Sequence, residues 1–330
     1  MSKILSIIIP LYNSAKWLPK CLDSLFKQDL AEQEYEIICV DDGSPDNSRS
    51  IAEFYGKRHT NLKVISQLNQ GTAVARNTGM KNSEGKYLCF VDPDDYVDEN
   101  VYGGLVRQME EEQLDMLRFA YRIVNEDYKE LELSSFEKDF DYTPKIMTGA
   151  EYLGQRLGMA CYVWTNIYRA SIIKDNNLWC IKEYFDDTPW LPQVCMNAKR
   201  VNVTDKIVYN YYQRRDGLVR ARSPQAISKI IEGQKSLILE LLKQEQSISD
   251  VGVLNWYKSM KAACVVSLLS MVCVYQYHNK RSILKFLKDQ SVFPLIAPRK
   301  IANIDNKLCI LNVSPNLYCI LVHFKNKKKA

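Results

Sequence analysis

The chain predicts an α/β fold: a mostly parallel, doubly wound sheet flanked by helices, followed by a helical C-terminal region. Three observations carry that reading. As far as Ile123, short apolar runs alternate with segments of helical periodicity, the pattern that builds parallel sheets. Two acidic clusters, Asp41-Asp42 and Asp92-Pro93-Asp94-Asp95, directly follow two of the apolar runs. From Pro224 to about Gln290 the pattern is helical, with Ile230, Ile231, Leu237, Ile238, Leu241 and Leu242 at helix spacing.

The elements follow in order. Residues 5–10 read as a strand, and residues 17–27 as a helix with Leu18, Cys21, Leu22, Leu25 and Phe26 on one face. A strand at 36–40 and a helix at 47–58 come next, then a strand at 62–65 and a helix at 71–80. Residues 87–91 form a fourth strand, 99–112 a helix and 114–123 a fifth strand. The middle is less regular. A hairpin is expected over 130–140, helices over 149–157 and 188–198, and one or two strands over 201–212. A soft boundary near Ser223-Pro224 divides the chain into residues 1–223 and 224–330.

Composition excludes several classes. The chain has 330 residues, 46% hydrophobic and 25% charged, with net charge +5 from 44 basic and 39 acidic groups. The basic excess gathers at the end, Lys325-Asn326-Lys327-Lys328-Lys329, so no broad face for nucleic acid is expected. Ten cysteines are scattered without a CxxC pair, which leaves zinc and thioredoxin-like readings unsupported. With no signal-peptide pattern, free thiols in a reducing cytoplasm are expected. The most apolar run, residues 262–275, is shorter than the ~20 residues a bilayer needs and reads as a buried core helix. No G-x-G-x-x-G, Walker A or G-x-S-x-G pattern occurs, and His59, His278 and His323 are isolated.

The acidic clusters carry the chemistry. Three aspartates within Asp92-Pro93-Asp94-Asp95 repel one another beside a buried strand unless a cation lies between them. Mg²⁺ or Mn²⁺ takes oxygen ligands, typically one or two carboxylates plus substrate phosphates. EF-hand spacing is absent, because Tyr96 and Val97 stand where a ligand and the required Gly belong. A metal–diphosphate at the end of the fourth strand is therefore expected. In Val40-Asp41-Asp42-Gly43-Ser44 a turn needs one aspartate, and the second suits the imide N–H of a uracil ring. Gly71 opens a small-residue helix whose N-terminus favours an anion, with Arg76 within reach of a base or phosphate. Asp186-Asp187, before Pro189, reads equally as an acidic helix start or as the home of a general base. Arg214, Arg215, Arg220 and Arg222 are either a solvated cluster or, in part, a diphosphate clamp.

Taken in order, these segments resemble the family-two inverting glycosyltransferases of the GT-A fold. The resemblance rests on Ser6-Ile-Ile-Ile-Pro10-Leu-Tyr12-Asn13, Val40-Asp41-Asp42-Gly-Ser44, Asn69-x-Gly71 with Ala75-Arg76-Asn77, and the D-x-D pair Asp92 and Asp94. It is dense over residues 4–100 and thins beyond. Phe185-Asp186-Asp187-Thr-Pro-Trp190 is similar to the family's E-D-x-x-F box, with Asp187 in the place of the base. Asn166 stands where the family often carries Lys. Tyr212-Gln-Arg-Arg215 is similar to a Y-R-x-R stretch, from which Arg215 is carried over.

The resemblance implies transfer of a hexose or N-acetylhexosamine from a UDP-sugar to a hydroxyl of a glycan, with a lipid-linked acceptor in surface polysaccharide synthesis. It implies nucleotide-sugar contacts from Pro10, Tyr12, Asn13, Asp41, Asp42, Asn69, Gly71, Arg76, Asp92 and Arg215. Asp94 assisted by Asp92 would hold Mn²⁺ or Mg²⁺, and Asp187 would deprotonate the acceptor. The location implied is cytoplasmic. The apolar stretch 314–324 and the lysines after it suit peripheral contact with the inner face of the cytoplasmic membrane, or equally a last helix packed on the core. Two other classes are weighed. A sugar-nucleotide pyrophosphorylase would need a Gly-rich start that Pro10-Leu-Tyr-Asn-Ser14 is not, and a non-catalytic sensor would not need both Asp94 and Asp187.

Overall fold

The computed structural model describes residues 3–133, 138, 140–181, 185–214, 223–299 and 304–327. Two compact units are present, one running to Arg214 and one built on the helices from Pro224 onward.

The first unit opens as the periodicity predicts: β1 (Leu5–Leu11), α1 (Leu18–Leu25), β2 (Tyr35–Asp41), α2 (Ser48–Gly56), β3 (Leu62–Ser66), α3 (Thr72–Lys81) and β4 (Tyr87–Phe90). A two-residue β5 (Tyr96–Val97), α4 (Tyr102–Glu111), β6 (Met116–Val124) and β7 (Glu130–Leu131) follow. Then come α5 (Gly149–Glu151), β8 (Asn166–Arg169), α6 (Ala170–Asp175), α7 (Asp187–Asn197) and β9 (Val201–Tyr212). Every residue of β1, β2 and β4 is buried, which is why these strands read as mostly apolar runs rather than alternating ones, with Ser6 and Glu36 hydrogen-bonded to each other.

Among the described residues nine strands form one sheet in the order β3-β2-β1-β4-β8-β6-β9-β5, with β7 on β6. β1 pairs in parallel with β2 on one side and with β4 on the other, and β2 pairs in parallel with β3. The order therefore reverses between β1 and β4, and ligands of doubly wound sheets bind outside the carboxyl ends of strands at such a point. Residues 10–13 leave β1 there and residues 91–95 leave β4 there. The far half is mixed: β8 runs antiparallel to β4 and β6, while β9 runs parallel to β6.

The structure sharpens or departs from the sequence expectations in four places. Glu130–Leu131 pairs back onto β6, and residues 134–137 and 139 of the expected hairpin lie outside the described residues. The expected helix at 149–157 starts with a capping box at Thr148 and Glu151 and then winds as a π-helix over Tyr152–Arg156. Residues 201–212 make one strand, and a register shift near Ala120 in its partner absorbs the polar stretch that suggested two. β5, β8 and α6 were not anticipated, because two to six residues with mixed polarity carry no readable period.

α3 lies against β1 and β2. A Cβ added at Gly79 would stand 2.3 Å from Ile8 Cγ2, so helix and strand meet through a bare backbone. Gly79→Ala is expected to destabilise the protein by about 1–3 kcal/mol through overpacking, read as a lower urea midpoint at unchanged slope.

The second unit holds α8 (Pro224–Glu245), α9 (Val251–Tyr275), α10 (Lys280–Asp289), α11 (Asp305–Val313) and α12 (Pro315–Lys327). Ser223 and Asp250 cap α8 and α9 through their side chains. α9 is long and apolar enough to cross a membrane by length and composition, yet 61% of its most apolar window is buried. Its neighbours α8, α10, α11 and α12 pack on it as on a core helix.

Candidate active site

The carboxyl ends of β1, β2 and β4 and the N-terminus of α7 bring the acidic residues together in the first unit. Phe90 closes β4, and Val91 continues it through a backbone bond to Ile8 O, delivering Asp92 beside α3. Asp95 is buried and fully engaged: it accepts from the Tyr209 hydroxyl at 2.7 Å and from the Tyr212 N–H at 2.6 Å. The same Tyr209 oxygen accepts the Asp92 N–H at 3.0 Å, so β9 grips the acidic loop at two points. Behind Tyr209, Trp164 stacks at 4.4 Å between ring centres, with Tyr162 stacked on Trp164 in turn. Asp95 is thus an anchor, and Asp92 and Asp94 are the members left facing outward.

Asp94 accepts from Arg214 Nη1 at 3.2 Å, and the Arg214 guanidinium lies 3.7 Å from the centre of the Trp17 ring. Burial raises the Asp94 carboxyl above the usual range, and Asp92 pushes it further the same way, against Arg214. A second cation would relieve that pressure. Asp92 and Asp94 are each 26% exposed in their side chains and offer hard oxygen donors. Among the described residues no group of three or more His, Cys, Asp or Glu is arranged to hold a metal ion. The donor set fits a cation that shares its coordination with phosphates, not a closed protein cage.

Arg76 is the centre of the site. It is buried on α3, and its Nη1 donates to Asp186 at 2.8 Å and to Asp187 at 2.7 Å, while Nη2 donates to Asp92 at 3.2 Å. Burial works against its charge, and Asp187, Asp186 and Asp92 more than offset it. With three carboxylates around it, Arg76 keeps only its buried Nε without a partner.

Asp187 begins α7. Burial pushes its carboxyl up to about 7; Arg76 opposes the rise, and Asp186 and Asp92 add to it. Its side chain keeps 25% exposure, so the group is crowded yet open on one side. α7 is held by Trp190, which packs edge-on to Phe90 and Tyr168 and donates its indole N–H to Leu178 O at 2.9 Å. Asn77 adds a clasp from α3: its amide donates to Cys180 O and accepts the Cys180 N–H, each at 2.8 Å.

At the end of β2, Asp41 accepts from Ser44 N at 3.2 Å. Asp42 has both oxygens in use, accepting from Gln67 Nε2 and Gln70 N on one and from Gly71 N on the other. Asp42 therefore ties down the loop that starts α3, with Asn69 donating to Asp42 O at 3.0 Å. Gly71 has φ +96°, and a Cβ there would meet nothing within 4 Å. That left-handed φ is a conformation glycine adopts freely and other residues rarely do. Pro10 is buried in β1, while Tyr12 is 52% exposed and Asn13 takes a left-handed φ of 52°. Asp46 holds this edge together, accepting from Ala15 N, Ser48 N and the Ser48 hydroxyl.

Some placements differ from expectation. Arg215 lies outside the described residues, and the neighbouring Arg214 is the arginine seen on the acidic loop. Asn166 is fully buried on β8, with its amide donating to Tyr162 O and Thr165 Oγ1, and so is a core residue. Sequence reasoning gave no role to Asn77 or Tyr209, whereas Arg214 stood within the arginine cluster read as a possible diphosphate clamp. Asn77 stood inside a quoted motif, whereas Tyr209 is one of several tyrosines in a strand and gave no signal.

A sheet parallel across β3-β2-β1-β4, with acidic loops at its switch point, is the architecture of the GT-A fold. The sequence pattern described as Glycosyl transferase family 2 matches residues 6–175. The chain is 30% identical over 278 residues to the uncharacterized glycosyltransferase EpsJ of Bacillus subtilis, covering 84% of this chain and 76% of that protein. It is 29% identical over 245 residues to poly(ribitol-phosphate) beta-N-acetylglucosaminyltransferase TarS of Staphylococcus aureus, covering 73% of this chain but only 41% of that one. The crystal structure of TarS residues 1–349 in complex with UDP-GlcNAc shares the fold, with TM-score 0.67 and 24% identity over 97% of this chain and 89% of that one. The chain belongs to glycosyl transferase family 2 and is a glycosyltransferase.

Proposed function

We propose that the protein transfers a hexose or N-acetylhexosamine from a UDP-sugar to a glycan hydroxyl, with inversion, on a lipid-linked acceptor at the cytoplasmic membrane face. The carrying observation is that one buried guanidinium, Arg76, ties the base Asp187 to Asp92 of the donor-side loop. The UDP-GlcNAc bound by TarS and the family membership support the donor class.

In this reading the nucleotide lies across the ends of β1 and β2. Asp41 accepts from the base, Asp42 and Asn69 shape the loop that opens α3 at Gly71, and Pro10, Tyr12 and Asn13 line the near wall. Asp94 with Asp92 would hold Mn²⁺ or Mg²⁺, and such a cation would supply positive charge against the negative charge gathering on the diphosphate. Arg214 stands beside Asp94 and can turn to the same phosphates. Asp187 takes the proton from the acceptor hydroxyl. The acceptor oxygen bonds to the anomeric carbon from the face opposite UDP, and the old C–O electron pair leaves with UDP.

The test is a thermal-shift screen of UDP-sugars with and without Mn²⁺. A donor at 100 times its dissociation constant stabilises the fold by about 2.7 kcal/mol. Asp94→Asn is expected to erase the Mn²⁺-dependent part of that shift. An Asp94→Asn protein that responds to UDP-sugar and Mn²⁺ as the native chain does would overturn the donor-side assignment.

A further inference from the structure

α12 is two-faced in a way its sequence did not settle. Its inward side is anchored: Tyr318 and Cys319 are buried, the Tyr318 hydroxyl lies 2.9 Å from Ser270 Oγ, and His323 Nδ1 lies 3.0 Å from Cys273 O. Its outward side is apolar. Leu317, Ile320, Leu321 and Phe324 recur at helix spacing and are 46%, 38%, 48% and 59% exposed. Large apolar side chains left together at a surface mark a contact site.

What covers this face is indicated by charge. α10 packs beside α12 within the same unit. It exposes Arg281, Lys285 and Lys288 at i, i+4 and i+7, and Lys325 is exposed one residue after Phe324. Asp289 is the single acid of α10. A second copy docked face to face would set these cations against their own counterparts. An anionic, apolar-cored surface satisfies both features together, since the basic groups meet headgroups while the leucines and the phenylalanine enter the acyl boundary.

We propose that the α10–α12 face is a docking surface for an anionic lipid bilayer. The proposal rests on the membrane-face location proposed above and deepens it; the surface lies in the helical unit and calls on none of the transfer residues, so its failure is distinguishable from failure of the donor reading.

The experiment is flotation of the full chain with phosphatidylcholine vesicles, with and without phosphatidylglycerol, and needs no sugar donor. The native chain is expected to float only with the anionic vesicles and to be released by high salt, because screening lengths fall to about 3 Å at 1 M. Each basic side chain near such a surface favours binding about fivefold, so Arg281→Glu with Lys285→Glu and Lys288→Glu lowers partitioning by at least on the order of 100-fold. Leu317→Ser with Leu321→Ser and Phe324→Ser is also expected to abolish flotation; all three side chains are exposed, and circular dichroism verifies that the fold persists. No flotation, equal binding to neutral vesicles, or unchanged binding by both triple variants overturns the proposal. Concentration-dependent dimers that the apolar variant dissolves, without vesicle binding, assign the face to a second copy and overturn it too.

Discussion

Asp187→Asn is expected to lower kcat by about 10²–10⁴-fold, the usual contribution of a positioned general base, while UDP-sugar affinity stays near the native value. The pH profile supplies an independent check. Burial raises the Asp187 carboxyl to about 7, so the native kcat/KM should climb as pH rises through neutrality and the base loses its proton. That limb should vanish in the Asn variant. The stability consequence has a definite sign. A carboxyl whose folded pKa lies above its unfolded value holds its proton more tightly when folded. Its stabilising share is complete below the unfolded pKa, near 4 for a free Asp, and is lost as pH rises through about 7. Asp187→Asn should therefore leave the melting temperature unchanged or raised above neutral pH. A variant with native-like rates would remove Asp187 from the role of base, and one that melts early at alkaline pH would contradict the raised carboxyl.

Arg76→Met carries the largest expected loss of stability. It strips the guanidinium from three carboxylates at once, and breaking a buried ion pair from one side costs about 3–5 kcal/mol. Urea unfolding should show that loss as a lower midpoint. A second effect follows from the electrostatics: Arg76 holds the Asp187 carboxyl down against burial, so its removal raises that group further. Whatever activity survives should rise at higher pH than in the native chain. Arg76→Lys should restore part of the stability and return the limb toward neutrality, though a single ammonium cannot reproduce the forked donation. An Arg76→Met protein that keeps its urea midpoint would contradict the arrangement around the guanidinium.

Much of this architecture was legible before any coordinates. β1, β2 and β4 are buried throughout, so apolar residues dominate them without alternation and they stand out from the helices between them. The acidic loops were legible as well, because each follows one of those runs directly. The short antiparallel strands were not. Asn166–Arg169 shows no alternation, and it becomes a strand because β4 and β6 both offer it hydrogen bonds. The roles within each acidic cluster were equally hidden. Asp94 and Asp95 are neighbours of one residue type, yet one faces Arg214 and the other is sealed beneath Tyr209. Asp42 reads as a base-binding group in sequence, and its further task of holding the loop before α3 is visible only in the structure.

The amino-acid order alone determined which strands are buried, where they end, and that carboxylates gather at those ends. Period and local propensity act over a few residues, and they are written into the chain directly. Only the tertiary structure decided that Arg76 joins Asp92 to Asp186 and Asp187, across 110 and 111 residues in the last two cases. The same holds for the outward face of α12. Pairings at that separation depend on how helices settle on a sheet, and no local pattern records them.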